Sequence, residues 1–151
     1  MPESPKDLVR RHFEEVFNHR RLDGCDELVA DDYVEHAVAP FGTTEPGPVH
    51  GPTAMRGTLA WLLGMFPDLH MTVEAIVAED DTVAARVVAE GTHTGVVDGS
   101  PPPSGRRFSA RQSHWFRVRD GRLVEHWAVR DDLTTMLQLG IVQEPGATPS
   151  R

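Results

Sequence analysis

The sequence has little cysteine, and it has no long apolar run. Cys25 is the single cysteine among 151 residues, which excludes an internal disulfide and a zinc site built from cysteines. No apolar run reaches the ~18 residues of a membrane-spanning helix, and no charged-then-apolar leader opens the chain. We therefore expect a cytoplasmic protein that makes no use of a membrane.

Positive charge is also scarce. The formal net charge is -8 and the sequence pI is about 5.4. Lysine and arginine form only short pairs, such as Arg10-Arg11 and Arg106-Arg107. This charge balance argues against a nucleic-acid partner and against docking on anionic lipid.

The remaining composition is that of an ordinary globular chain. Hydrophobic residues make up 39% of the sequence and charged residues 25%. We predict that residues 1–151 form a single domain, with a core over about 5–142 and a flexible tail over 143–151.

The sequence contains eight histidines, which raises the question of a metal site. None of them stands in His-x-His or His-x-x-x-His spacing with a supporting carboxylate, so we predict no metal. A nucleophilic triad is also poorly supported, because no serine lies in a Gly-x-Ser-x-Gly elbow.

Helical periodicity dominates the first part of the chain. Ser4-Pro5 opens a helix well, and apolar residues then recur at helical spacing up to Phe17, with His12 on the same stripe. A second short helix is predicted over 22–30, and a third from Pro52 to Pro67. Between these two, residues 37–52 are rich in proline and glycine, so we expect a loop, and a loop of this length in a compact domain is often functional.

From Asp68 the period changes to two, which predicts four antiparallel strands. They are expected over 71–77, 83–94, 108–119 and 122–130, with a hairpin loop over 96–105. A short helix over 133–139 follows and ends at Gly140. Helices that precede a meander indicate an α+β fold, in which N-terminal helices cover one face of a curved antiparallel sheet and enclose an interior pocket.

The stretch from Glu125 to Asp132 is the candidate chemical site, because a strand ends in two carboxylates where a helix begins. Trp127, Val129 and Asp131 share one face of the strand, so Asp131 faces the pocket if Trp127 does. Burial there would raise the pKa of Asp131 and suit it to proton transfer. Asp132 faces the other way and has the composition of an N-cap. The alternative is that both aspartates only cap the helix.

Several motifs resemble those of one protein family. They are Tyr33-Val34-Glu35-His36, Phe66-Pro67-Asp68, Gly91-Thr92-His93-Thr94-Gly95, His114-Trp115-Phe116-Arg117, Asp120-Gly121, Glu125-His126-Trp127, Asp131 and Gln138-Leu139-Gly140. The order of elements resembles the nuclear transport factor 2-like cone, a cystatin-like curved sheet wrapped by helices. Within that fold, the motifs resemble the SnoaL-like polyketide cyclases over about residues 5–142.

The resemblance implies an activity and two catalytic residues. The activity is an intramolecular aldol-type ring closure of a polyketide-like ester in antibiotic biosynthesis, of lyase or isomerase type, with no metal or organic cofactor. Asp131 takes the position of the general acid/base, and His114 on the preceding strand matches its pocket partner. The resemblance also implies a small hydrophobic substrate and a homodimer that pairs through the outer face of the sheet.

Other side chains are predicted to contact the substrate. Gln112 and Phe116 have the same strand parity as His114, and Gln112 can donate to a substrate oxygen. His126 faces opposite to Trp127, so we assign it to packing or to an interface. The full predicted set of substrate-binding residues is Trp127, Gln112, Tyr33, His36, Phe116 and Arg86.

Four of the predicted site residues have a structural alternative, and for His114 it is a core histidine bonded to the backbone. Tyr33 and His36 either line the pocket or pack with their polar tips hydrogen-bonded. Arg86 either pairs with Glu90 on its own strand face or neutralises an enolate.

Two other classes of function also stay open. The pocket is compatible with an isomerase, a dehydratase, a pericyclic cyclase or an epoxide hydrolase, and a hydrolase needs a second inward acid, for which Glu125 is the candidate. A non-catalytic module that binds a small hydrophobic ligand is the second class.

Overall fold

The computed structural model of the protein describes residues 3–37 and 50–146. Most of the predicted loop over 37–52 and residues 147–151 of the predicted tail lie outside the described residues. Within the described ranges, no helix is long and apolar enough to cross a membrane.

Four helices and five strands make up the described fold. Helix α1 spans Pro5–Arg11 and continues as a π-helical segment over His12–Asn18. The other helices are α2 (Gly24–Leu28), α3 (Gly51–Met65) and α4 (Asp132–Leu139). The strands are β1 (Val29–Glu35), β2 (His70–Glu79), β3 (Thr82–Thr92), β4 (Arg107–Arg119) and β5 (Arg122–Arg130).

The five strands form one sheet in the order β1-β5-β4-β3-β2. Strands β2 to β5 pair antiparallel as a meander, which confirms the predicted α+β arrangement. Strand β1, which was not predicted, pairs parallel with β5 at the sheet edge. The exposed pair Asp31-Asp32 interrupts the alternation of β1, so only its pairing with the distant β5 shows that it is a strand.

Local hydrogen bonds fix how the first helix enters the fold. The Ser4 hydroxyl accepts from the backbone N–H of Asp7 at 3.1 Å, and Pro5 occupies the first turn, as predicted. At the other end, the Asn18 side chain bonds to both backbone groups of Met71 on β2, each at 2.8 Å. These contacts hold the π-helical segment against the sheet.

The hydrophobic core lies between the sheet and the N-terminal helices. Apolar side chains from both layers are almost fully buried there. They include Leu8, Val9, Phe13 and Val16 from the helical layer and Val83, Val87, Phe116 and Leu123 from the sheet, each at most 1% exposed. Burial of such side chains is the main favourable term in folding.

Strand β5 contains a bulge at Val124. Arg117 pairs with Glu125, whereas Val118 pairs with Leu123, so Val124 has no partner on β4. Because one extra residue shifts the alternation of side chains, the parity that buries Leu123 does not continue beyond the bulge. His126, two residues after Val124, therefore faces inward and is 8% exposed.

A close contact at Gly95 gives a test of how the segment after β3 packs against the end of α3. A Cβ at Gly95 would clash with the carbonyl oxygen of Gly64. Gly95→Ala should therefore lower the free energy of unfolding by ~2 kcal/mol or more, because the backbones must separate. The control is Gly57→Ala in α3, where a Cβ meets nothing within 4 Å and should raise stability by up to ~1 kcal/mol. Urea unfolding compares the two variants, and an unchanged midpoint for G95A would contradict the contact.

Candidate active site

Five polar side chains form a connected chain across the inner face of the sheet. The Tyr33 hydroxyl donates to Glu35 Oε2 at 2.6 Å, and Glu35 Oε1 lies 2.7 Å from His126 Nδ1. His126 Nε2 lies 2.9 Å from His114 Nδ1, and His114 Nε2 lies 2.8 Å from Gln112 Oε1. We call these five residues the interior polar chain.

Strand register brings the members of the interior polar chain together. Alternate positions of a strand share a face, so β1 presents Tyr33 and Glu35 together, and β4 presents Gln112 and His114 together. On β5, the bulge at Val124 turns His126 towards them. The edge strand β1 and the central strand β4 thus contact β5 from both sides.

Aromatic side chains surround the two histidines of the interior polar chain. The Phe116 ring stacks on His126 with centroids 4.6 Å apart, and Phe13 meets His114 edge-on at 5.1 Å. Tyr33 is 0% exposed and His114 is 6% exposed, whereas Gln112 is half-buried. The interior polar chain is therefore fully buried at Tyr33 and partly exposed at Gln112.

Glu35 is a buried carboxylate that stays charged. Burial by itself raises the pKa of a carboxyl group, but the hydrogen bond and the charge of His126 lower it. The Tyr33 hydroxyl and the backbone N–H of Ala37 donate further hydrogen bonds, and the net pKa of Glu35 lies below its ordinary value.

Two buried histidines beside this carboxylate stay neutral. Burial, followed by the charge of His126, lowers the pKa of His12 to about 3. Burial and the charges of His126, His12 and Arg130 hold the pKa of His114 well below its ordinary value. His12 lies in the core, 2% exposed, with its ring centroid 5.4 Å from that of Phe116.

Asp131 does not face the interior. It is exposed and caps α4, since its carboxylate accepts from the backbone N–H of Thr134 at 3.1 Å and from the Thr134 hydroxyl at 2.6 Å. These hydrogen bonds hold the pKa of Asp131 below its ordinary value, so the expected inward position and raised pKa are wrong. The backbone N–H of Asp131 donates to the Arg111 carbonyl at 3.3 Å, so the main chain at Asp131 lies beside β4 one residue from Gln112, while its carboxylate stays exposed.

The cap of α4 was assigned to the wrong aspartate. Asp132, the predicted N-cap, is the first residue of α4, and its Oδ1 accepts from Arg130 Nε at 3.1 Å. The helix ends as predicted at Gly140, which adopts a left-handed φ of 76°.

Trp127 and His36 lie on the outer face of the sheet, not in the pocket as predicted. Trp127 is 37% exposed, and its ring stacks on His36 with centroids 4.8 Å apart. His36 Nε2 also lies 2.8 Å from Glu125 Oε2. Trp127, Val129 and Asp131 do share a face, but the bulge at Val124 makes it the outer one.

Arg86 is also on the outer face, at an exposed position of β3. Its Nε lies 3.6 Å from Glu74, whereas Glu90 pairs with Arg107 at 3.1 Å. The predicted Arg86–Glu90 pair is therefore wrong, and Arg86 lies away from the interior polar chain.

Four of the predicted site residues come together, and two important ones were missed. Tyr33, Gln112, His114 and Phe116 all lie on the inner face. Tyr33 packs with its hydroxyl bonded, which is the structural alternative foreseen for it.

The missed residues are Glu35 and His126. His126 was assigned to packing or an interface, and Glu125 was named as the candidate second inward acid. The structure instead buries Glu35 and places Glu125 on the outer face, 2.6 Å from Arg117. The spacing of Glu35 two residues after Tyr33 was the available signal, because both then share a strand face.

Within residues 3–37 and 50–146, no three His, Cys, Asp or Glu side chains are grouped so as to hold a metal ion. The polar groups on the inner face are instead bonded to one another. The arrangement provides proton-bearing groups inside an aromatic shell, with the ionised Glu35 beside Tyr33 and the half-buried Gln112 at the other end.

Comparison with known proteins identifies the family. The model of the SnoaL-like polyketide cyclases matches residues 7–139. The chain therefore belongs to the SnoaL-like polyketide cyclase family, and its α+β fold is the nuclear transport factor 2-like cone predicted above.

Curated relatives are methyl ester cyclases from Streptomyces. The chain is 33% identical over 145 residues to aklanonic acid methyl ester cyclase DauD of Streptomyces sp. (strain C5), covering 95% of this chain and 84% of that protein. It is 34% identical over 126 residues to nogalonic acid methyl ester cyclase of Streptomyces nogalater, covering 83% of this chain and 90% of that protein.

Solved structures show the same fold. Wild-type IdmH from Streptomyces antibioticus matches with a TM-score of 0.77 and 38% identity, covering 91% of this chain and 99% of that one. TsrD from Streptomyces laurentii matches with a TM-score of 0.77 and 26% identity, covering 94% and 99%.

The neutral state of His12 predicts an acid sensitivity. The unfolded chain binds a proton at His12 near its ordinary pKa of 6.5, whereas the folded chain does so only near about 3. His12 therefore contributes stability that is present above pH 6.5 and is lost as the pH falls towards 3, by about 1.4 kcal/mol per pH unit.

His12→Leu should reduce this slope while it keeps the core apolar. The exposed His19 supplies the control, because His19→Leu removes a histidine that solvent already surrounds. Urea unfolding at several pH values between 6.5 and 4 would measure the slopes. An H12L slope equal to that of wild type would contradict the neutral buried state.

Proposed function

We propose that the protein is an enzyme that catalyses an intramolecular aldol-type ring closure of a polyketide-like ester, without a metal or an organic cofactor. The family membership and the two methyl ester cyclase relatives support this assignment. The observation that carries it is the interior polar chain itself, which ends at the half-buried Gln112; the strand partner of Gln112 is Arg130, the residue before the ionised Asp131.

Asp131 is the proposed general acid/base. Its lowered pKa keeps the carboxylate ionised at neutral pH and ready to take a proton from a methylene that neighbouring carbonyl groups acidify. The C–H electron pair then forms the new C–C bond to the ketone carbon of the same substrate. The protonated Asp131 returns the proton to the resulting alkoxide, so no other reactant is consumed.

Gln112 and His114 are proposed to stabilise the oxygen on which negative charge develops. Both ring nitrogens of His114 are already bonded, to His126 and to Gln112, so His114 acts on a substrate through Gln112. A side-chain amide held in place by a buried histidine is a preorganised hydrogen-bond donor of the kind that favours an oxyanion.

The relatives also suggest the biological setting. Their names point to esters of polycyclic polyketides, so we propose a small, largely hydrophobic substrate and a role in antibiotic biosynthesis in the cytoplasm. Holding both ends of a folded substrate together would supply much of the rate, since the reaction joins two parts of one molecule.

Asp131→Asn tests the acid/base assignment. Asparagine still caps a helix well, so the fold should persist, whereas loss of the ionisable group should lower kcat by ~10²-fold or more. Turnover of aklanonic acid methyl ester and nogalonic acid methyl ester, with circular dichroism as the check on folding, measures the effect.

Asp132→Asn is the matched control, because it removes a neighbouring carboxylate that pairs with Arg130. It should leave kcat close to that of wild type. If D131N retains wild-type kcat on a substrate that the wild-type chain closes, Asp131 is not the general acid/base.

We also propose a homodimer that pairs through the outer face of the sheet. Trp115 and Trp127 are directly opposed across β4 and β5, and they are 46% and 37% exposed. Val129, 73% exposed, extends the same apolar surface. Exposed aromatic pairs of this kind are enriched in protein interfaces.

Trp115→Glu tests the dimer. Sedimentation should give twice the subunit mass of 16.7 kDa for the wild type and the subunit mass for W115E, because a charge would be buried at the interface. Val96→Glu replaces an apolar residue that is 83% exposed outside this surface, and it should leave the mass unchanged. A wild-type chain that sediments at the subunit mass would refute the dimer.

A further inference from the structure

The hydrogen bonds of the interior polar chain limit where its protons can lie. Three links connect Glu35, His126, His114 and Gln112, and each link needs one proton between its two heavy atoms. The first link ends on a carboxylate, which only accepts. The His126 proton in this link must therefore sit on Nδ1.

Two neutral imidazoles cannot supply all three protons if Gln112 presents its carbonyl. Each neutral ring carries one N–H, which makes two. The third proton comes either from a second N–H on one of the rings or from the NH2 group of Gln112 after its amide turns over. The charge of the histidine pair and the orientation of Gln112 are therefore linked.

We propose that Glu35 and His126 form a carboxylate–imidazolium ion pair inside the fold, and that the proton of this pair fixes Gln112 with its carbonyl on His114 and its NH2 group free for a substrate oxygen. In this state both ring nitrogens of His126 donate hydrogen bonds, Nδ1 to Glu35 and Nε2 to Nδ1 of His114. His114 in turn donates from Nε2 to the side-chain carbonyl of Gln112. Glu35 and His126 are thus positioning residues that act through Gln112.

Burial of the pair favours the charged state. The side chains of Glu35 and His126 are only 11% and 10% exposed. A carboxylate removed from water needs a counter-charge, and the hydroxyl of Tyr33 and the amide of Ala37 supply hydrogen bonds but no charge. Within the described residues, His126 is the basic side chain in contact with Glu35.

The other ionisable groups around the pair leave His126 as the site of the proton. His12 approaches from the π-helical segment, and His114 from β4; burial lowers the pKa of both. From β5, the positive charge of Arg130 further disfavours a proton on His114. Tyr33 on β1 donates to Glu35 and stays un-ionised, because burial raises its pKa.

The proposed orientation of Gln112 suits the proposed reaction. An aldol closure places negative charge on a carbonyl oxygen, which an NH2 group stabilises and an amide carbonyl repels. The use of Gln112 by a substrate rests on the proposed cyclase function. The proton count does not, because it follows from the hydrogen bonds of the ligand-free protein.

The proton count can be read by NMR of the full chain with ¹⁵N-labelled histidine, near neutral pH and without substrate. We expect both ring nitrogens of His126 to be protonated, and His114 to carry its proton on Nε2. A bare nitrogen on His126, or an unprotonated Nε2 on His114, would overturn the proposal, since Gln112 would then be the donor.

Glu35→Gln should reverse the direction of the hydrogen bonds that join His126, His114 and Gln112. The neutral amide needs no counter-charge, so His126 should lose its second ring proton, and the His114 proton should move from Nε2 to Nδ1. Glu125→Gln is the matched control, because Glu125 also contacts a histidine but lies on the outer face. It should leave the His126 and His114 spectra unchanged, and an E35Q spectrum identical to that of wild type would also overturn the proposal.

Turnover separates the role of Gln112 from the proposed function itself. On a substrate that the wild-type chain closes, E35Q should lower kcat by ~10²-fold with little change in KM, whereas E125Q should not. If the spectra are as expected but E35Q retains wild-type kcat, the role of the ion pair towards the substrate is refuted. If the wild-type chain closes neither ester, the cyclase proposal loses its support, and the spectra still decide the proton count.

Discussion

The bulge at Val124 is the constraint on which the inner face of the sheet depends. Without the extra residue, the alternation that buries Leu123 would also bury Glu125 and Trp127 and would turn His126 outwards. The bulge reverses which residues of β5 face inward after Leu123. A histidine thereby enters the interior, and a tryptophan is left on the outer face.

The interior polar chain is costly to bury and must be complete. Removing one partner of a buried ion pair typically costs about 3–5 kcal/mol, because the remaining charge has lost its water. Every link from Tyr33 to Gln112 lies within 2.9 Å, so no member of the chain lacks a partner. Aromatic rings pack against both imidazoles, and the end of the chain at Gln112 is half-buried.

Part of the candidate site follows from the sequence. The spacing of Gln112, His114 and Phe116 correctly placed them on one strand face, and the Tyr33-Val34-Glu35-His36 motif contained the buried acid. The facing of Trp127 and Asp131 was wrong, because alternation relates neighbours along a strand but does not say which face is inside. Glu35 was overlooked because β1 was not recognised as a strand.

The sequence by itself determined the order of the helices and of the four meander strands, the turns between those strands, the start of α1 and the end of α4. These features depend on neighbouring residues, such as Ser4 before Pro5 or the left-handed Gly140 after α4. Only the tertiary structure decided the position of the bulge, the pairing of β1 with β5 and the contact between Glu35 and His126. These depend on residues that are far apart in the chain, and the packing of the whole sheet sets their register.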